Sequence, residues 1–256
     1  MLENLLKNNL VNDITFFPFK RLSKNTHMIW FDDFISLIFP RICAVCGNSL
    51  WTHEKVLCHF CEFHLPKTNF HLDEENPVTR VFWGRAQIER GGAFLYFNKG
   101  NRVQRLVHQL KYKGRKDIGI YLGTLYGNSL RNIVPFREVH SIIPVPLHRK
   151  KYMQRGYNQS EQFAIGLAAS MNVPVNTFLL TRTKATETQT RKSRFNRYQN
   201  VREIFSVCNP GEYSGQHLLL VDDVITTGAT LESCIQALSV IPGVKISIAC
   251  IATAML

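Results

Sequence analysis

Nowhere does the chain hold the roughly 18 consecutive apolar residues that a membrane-spanning helix needs. A spanning helix is therefore not expected, although an apolar fraction of 45% leaves ample material for a soluble core. A secretory leader is not expected either: Met1 to Lys24 scatters Asn, Asp and Lys and has no apolar centre closed by small residues, so the expected compartment is the cytoplasm. Acidic residues are scarce, 19 against 31 Lys and Arg, and the imbalance is local. Between Arg102 and Glu203 there are 19 Lys and Arg against 5 Asp and Glu, while the remainder is slightly acidic. Such a stretch suits a polyanion such as a phosphate ester or nucleic acid, with part of the charge serving simply as solvated surface.

The cysteines are seven, and four of them are patterned. "CAVCGNSLWTHEKVLCHFC" places Cys43, Cys46, Cys58 and Cys61 as C-x2-C-x11-C-x2-C, two knuckles whose thiolates can close a tetrahedral site on one zinc ion. Four sulfurs leave no open coordination position, so the expected role is structural, and nearby His53, His59 and His64 are not needed as ligands. Paired disulfides are the alternative and suit a reducing compartment poorly. Cys208, Cys234 and Cys250 stand singly in apolar or helical contexts and are expected to be small buried hydrophobes.

The chain of 256 residues can hold one large domain and a small appendage. Residues 1–28 are polar and Asn-rich and read as a disordered extension. Residues 29–80 are expected to form a zinc module and linker, beginning with a short apolar helix from Ile29 to Pro40 and ending in "HLPKTNFHLDEENP". Residues 81–256 form the larger domain. There "GGAFLYFNKG", "VHSIIPVP", "VNTFLLTRT", "HLLLVDDV" and "VKISIACIAT" read as strands. Val103, Leu106, Val107 and Leu110 make the inner stripe of a helix, Tyr121 to Leu130 a second, "NQSEQFAIGLAASM" a third capped by Asn158 or Ser160, and "TLESCIQALSV" a fourth. The alternation predicts an α/β fold, a mostly parallel sheet flanked by helices.

In such a sheet ligands sit at the carboxyl ends of the strands, where "LLLVDDVITTGAT" (Leu218 to Thr230) puts Asp222 and Asp223. Carboxylates there can accept hydrogen bonds from vicinal sugar hydroxyls and help hold a divalent metal. The following turn offers Thr226, Thr227 and Thr230 hydroxyls, the pliant Gly228, and, from Ala229 on, the free N–H groups of a helix start. Acids for a ribose and a nest for its phosphate describe a sugar 5-phosphate site.

This segment resembles the phosphoribosyl pyrophosphate (PRPP) motif of type I phosphoribosyltransferases. "IIPVPLHRKKYMQRGYNQSEQFA", "ETQTRKSRFNRYQNVREIF" and "LVHQLKYKGR", together with the cysteine knuckles, resemble the ComF family over about Ile29 to the C-terminus. The first 28 residues fall outside the resemblance, and Met28 is a second candidate start. The resemblance implies that Asp222 and Asp223 bind the ribose hydroxyls as the catalytic pair. It implies that Thr226, Thr227, Gly228, Ala229 and Thr230 enclose the 5-phosphate, and that Arg149 and Arg155, with His148, Lys150 and Asn158 nearby, serve the pyrophosphate. It implies Mg2+ entering with PRPP, and a closing loop carrying Thr188, Gln189, Arg194 and Asn196 or Asn200. It further implies a cytoplasmic role in DNA uptake and natural transformation, with single-stranded DNA and a DNA-uptake helicase as partners. Lys111, Lys113, Arg191, Arg194 and Arg197 are the candidate nucleic-acid contacts, with Phe195, Tyr198, Tyr152 and Tyr157 as stacking aromatics. Two alternatives stay open, an active phosphoribosyltransferase of nucleotide salvage and a non-catalytic adaptor. No segment for reading a nucleobase stands out. A chain beginning Met1-Leu2-Glu3 also lacks the N-terminal cysteine of a glutamine amidotransferase.

Overall fold

The computed structural model describes residues 40–98, 102–182 and 205–254. The helix expected from Ile29 lies outside them, as does the loop candidate of residues 183–200. From Ile42 onward the chain forms one compact unit.

In chain order the strands are β1 (Arg90–Tyr96), β2 (Ser141–Pro144), β3 (Leu180–Arg182), β4 (Phe205–Val207), β5 (His217–Ile225) and β6 (Lys245–Thr253). The helices are α1 (His59–Phe63), α2 (Pro77–Arg80), α3 (Arg102–Tyr112), α4 (Lys116–Leu130), α5 (Arg149–Arg155), α6 (Gln159–Met171) and α7 (Ala229–Leu238). Four strands make a wholly parallel sheet in the order β1-β6-β5-β2. "VNTFLLTRT" joins it only at Val175, which makes an isolated parallel bridge to Ile142 of β2. Leu180–Arg182 pairs antiparallel with β4 as a separate two-stranded ribbon.

The apolar runs of β5 (Leu218–Val221) and β6 (Ile248–Ala252) reflect burial on both faces. Alternate side chains point to opposite cores. Leu219, Val221, Ala249 and Ile251 join the core beneath α3, α4 and α6, whereas Leu218, Leu220, Ile248 and Cys250 join Leu231, Cys234 and Leu238 of α7. Val103, Leu106, Val107 and Leu110 form the buried stripe of α3 as expected. Helix α4 starts a turn earlier than its apolar pattern implied, with Arg115 paired to Asp117 over its polar first turn.

Packing does not separate a zinc module from the rest. Cys43, Val45, Leu57, Cys61 and Leu65 belong to the same core cluster as α3 and α4. Nor is "HLPKTNFHLDEENP" a free linker. Asn76 is fully buried, its amide donating to the carbonyls of Asp73 (2.7 Å) and Gly91 (2.8 Å) while its oxygen caps α2 at Val78 and Thr79. A short polar side chain thus stitches this segment to β1. Of the single cysteines, Cys234 and Cys250 are buried as expected, but Cys208 is exposed because the chain leaves β4 one residue before it.

What brings α6 to the sheet's carboxyl edge is its close approach to α4. A Cβ on Gly166 would lie 2.0 Å from the Ile120 carbonyl oxygen, and one on Gly123 would lie 2.3 Å from that of Phe163. Only hydrogen fits at either place. Gly166→Ala is expected to force the helices apart and lower stability by about 2–4 kcal/mol, measured by urea unfolding, since overpacking against backbone cannot be relieved by a rotamer change.

Candidate functional site

The register of the sheet builds the site. Pro144, the last residue of β2, pairs with Val221, so the loop leaving β2 and the acids that follow Val221 in β5 emerge side by side. Val145 continues the ladder, its N–H donating to the Val221 carbonyl at 2.9 Å. Asp222 and Asp223 are both half-buried.

Each acid is held by a different helix. The Ser160 hydroxyl, in the first turn of α6, donates to Asp222 Oδ1 at 2.9 Å, and the Asp223 N–H donates to the same oxygen at 2.8 Å. Lys111, in the last turn of α3, donates to Asp223, its Nζ lying 3.0 Å from Oδ1 and 2.9 Å from Oδ2. Burial first, and the neighbouring Asp223 charge second, push the Asp222 carboxyl above its usual range, because a partly desolvated pair of adjacent acids cannot cheaply carry two full charges.

The turn after β5 is open to solvent. Thr226, Thr227, Ala229 and Thr230 are exposed, and α7 starts without a capping side chain, leaving its first N–H groups available to an anion. Gly228 is left-handed (φ 74°), and a Cβ there would lie 2.5 Å from Val81 Cγ1, so its identity is fixed by conformation and by space. Arg85, which the sequence did not single out, braces the turn. Its guanidinium donates to the Thr227 carbonyl (3.1 Å) and the Val81 carbonyl (3.2 Å) and pairs with Glu232 of α7.

The loop after β2 supplies the other wall. His148 caps α5 by accepting from the Lys150 N–H at 3.2 Å, and Arg149 and Lys150 are exposed. Arg155 is half-buried, stacked 5.3 Å from the Tyr112 ring centre, and donates to Gln159 Oε1 at 2.7 Å; its Nε is buried with no partner among the described residues. Asn158 caps α6 through the Ser160 N–H (3.1 Å) and ties it to the β2 loop by donating to the Val145 carbonyl (2.9 Å).

Two of the nucleic-acid candidates are placed otherwise than expected. Lys111 faces Asp223 inside the site rather than lying beside exposed Lys113. Tyr157 is buried and its hydroxyl donates to the Leu110 carbonyl, so its ring is closed to a base. Tyr152 is exposed. Arg191, Arg194, Arg197, Phe195, Tyr198, Thr188, Gln189, Asn196 and Asn200 lie outside the described residues.

The cysteine cluster is compact. The four sulfurs lie within 4.8 Å of one another, and Cys46 and Cys58 are 3.7 Å apart. Metal–sulfur bonds of about 2.3 Å in a tetrahedron give sulfur–sulfur edges of about 3.8 Å, so the cluster fits one metal ion such as zinc. Burial raises the Cys43 thiol, but the backbone N–H groups of Cys46, Cys58 and Val45 outweigh it and bring the pKa down to about 7. His53 and His59 gather instead around Glu54, whose two oxygens accept from the Trp51 N–H (2.8 Å) and the His59 N–H (2.7 Å) and so shape the turn between the knuckles.

A model of the phosphoribosyl transferase domain matches residues 158–255, from the α6 cap through the acid pair to the end of β6. The chain is 31% identical over 200 residues to the DNA utilization protein YhgH of Escherichia coli O157:H7, spanning 77% of this chain and 83% of that protein. It is 39% identical over 92 residues to Competence protein F of Haemophilus influenzae, spanning 36% and 40%. Among solved structures, the glutamine PRPP amidotransferase from B. subtilis complexed with ADP and GMP superimposes with a TM-score of 0.38 at 22% identity, over 55% of this chain and 30% of that one. Sheet and matched domain together define a phosphoribosyltransferase-like protein of the type I fold, with an N-terminal cysteine cluster. Its extended similarity to a curated relative is more specific: the chain belongs to the ComF family.

The raised Asp222 carboxyl sets a pH dependence. The folded state holds this proton up to about pH 7 whereas the unfolded chain releases it near 3.8, so the group's stabilising contribution is full below 3.8 and is lost as pH rises through about 7. Asp222→Asn keeps an oxygen for Ser160 and for the Asp223 N–H but cannot ionise. It is expected to raise the melting temperature by about 2–4 °C at pH 8 and to change it little at pH 4.5, measured by thermal melts in phosphate-free buffer.

Proposed function

We propose that this protein binds PRPP, with Mg2+ entering on the ligand's diphosphate, and uses that site in DNA utilization and uptake. The observation that carries the reading is the juxtaposition at the end of β5. Two half-buried carboxylates stand directly before an exposed turn with a left-handed glycine and an uncapped helix start. Asp222 and Asp223 accept hydrogen bonds from the ribose hydroxyls. Thr226, Thr227, Gly228, Ala229 and Thr230 enclose the 5-phosphate, and Arg149 and Arg155 neutralise the pyrophosphate.

The four cysteines hold one zinc ion as a closed structural site. The names of the relatives, a DNA utilization protein and a competence protein, support a part in handling incoming DNA. Single strands then bind through exposed Lys113 and through the candidates Arg191, Arg194 and Arg197, which lie outside the described residues, in a cytoplasmic protein that works beside a helicase. Mg2+ bound with PRPP supplies charge neutralisation of the diphosphate. The chain's own contribution is to orient the ribose through the acid pair and to fix the phosphate through backbone N–H groups.

Calorimetric titration with PRPP and Mg2+ tests the reading. Wild type is expected to bind, and the Asp222→Asn, Asp223→Asn double variant to lose at least about 100-fold in affinity, the equivalent of two charge-assisted hydrogen bonds. Equal binding by both proteins, or none by wild type, contradicts it.

A further inference from the structure

The acid pair has few oxygens left for a cation. Among the described residues, Oδ1 of Asp222 already accepts from Ser160 and from the Asp223 N–H, and both oxygens of Asp223 lie within 3.0 Å of Lys111 Nζ. Only Oδ2 of Asp222 has no partner there. Mg2+ takes six oxygens in near-octahedral array and dehydrates reluctantly, so one carboxylate oxygen does not make a protein-held site. The residues fit a metal carried in on phosphates and poorly fit one seated between the two acids.

Lys111 is not a surface lysine that happens to reach the site. Four buried apolar residues fix α3 against the core, and the Tyr157 hydroxyl grips the Leu110 carbonyl one residue before Lys111. Tyr157 directly precedes the cap of α6, so the support of Lys111 and the support of Asp222 are continuous. The side chains of Lys111 and Asp223 are 21% and 14% exposed, which puts their ion pair in the range where screening by water and salt is weak.

We infer that Lys111 is the resident counter-ion of the acid pair, so that a ribose 5-phosphate group docks on Asp222, Asp223 and the 226–230 turn without a divalent cation. The metal requirement is then confined to the diphosphate arm of PRPP. This rests on the PRPP reading and refines it. With the ammonium in place, Asp223 adds little net repulsion toward a phosphorylated sugar. Without it, an uncompensated carboxylate faces the ligand, and only an added cation restores binding.

The test titrates the intact protein with ribose 5-phosphate and with PRPP, each with excess Mg2+ and in buffer passed over a chelating resin. A soluble chelator is avoided because it competes for metal at the cysteine cluster. For wild type, Mg2+ is expected to change ribose 5-phosphate affinity by less than about threefold while tightening PRPP. Lys111→Met is expected to lose at least about tenfold for ribose 5-phosphate in metal-free buffer and to regain most of it with Mg2+, and Lys111→Arg to stay near wild type. The inference is overturned if wild type binds ribose 5-phosphate only with Mg2+, or if a folded Lys111→Met keeps wild-type affinity without metal. Should Lys111→Met fail to fold, the wild-type comparison and Lys111→Arg still decide. If wild type binds neither ligand under any condition, the PRPP reading falls and this inference falls with it; PRPP binding with a strict Mg2+ requirement for ribose 5-phosphate overturns the inference alone.

Discussion

Asp222 and Asp223 lie near the carboxyl end of a strand that is buried on both faces, and adjacent acids at such a place have to be compensated by donors, a cation or a retained proton. Most of the site's architecture follows from that constraint. Asp222 needs a donor from α6, which requires α6 to start at the sheet edge, and that start is fixed by the Asn158 cap and by the glycine contacts that let α6 lie against α4. Asp223 needs a cation, and α3 ends where its Lys111 can supply one. The Tyr157 hydroxyl joins the two supports by holding the end of α3 beside the beginning of α6.

The cysteine segment belongs to the same mechanical unit. Arg105 and Gln109 of α3 donate to the carbonyls of Val45 and Ala44 in the first knuckle, and the Tyr121 hydroxyl of α4 donates to Glu62 beside the second. A metal held by the four sulfurs therefore steadies the helix that carries Lys111. The cysteine cluster and the acid pair are thus both tied to α3, the one through Arg105 and Gln109 and the other through Lys111.

Local pattern made part of this legible. The 3.6-residue stripe of α3, the apolar runs of β5 and β6, the C-x2-C knuckles and the acid pair before Gly228 are each written within a few consecutive residues, where periodicity and spacing act. What escaped is long-range. Lys111 meets Asp223 across 112 residues, Ser160 meets Asp222 across 62, and Arg85 meets Thr227 across 142, and one sequence carries no signal for such pairings. Lys111 reads as a nucleic-acid contact in the sequence because charge composition does not say which cation turns inward. Tyr157 reads as a stacking aromatic because its buried hydroxyl partner is a backbone carbonyl, which leaves no trace in residue identity. The Asn76 segment reads as a linker for a similar reason: its order comes from bonds to β1, through the Asn76 amide and through the backbone of Pro66 and Thr68, that polar composition does not announce.

Amide hydrogen exchange of the intact protein with and without PRPP and Mg2+ tests the central claim most directly, because it reads the backbone N–H groups of the turn themselves. The result expected is protection concentrated in the segment from Asp222 to Thr230, where exposed amides become donors to the 5-phosphate. Unchanged exchange in that segment, with protection elsewhere or nowhere, would contradict a sugar-phosphate site at the end of β5.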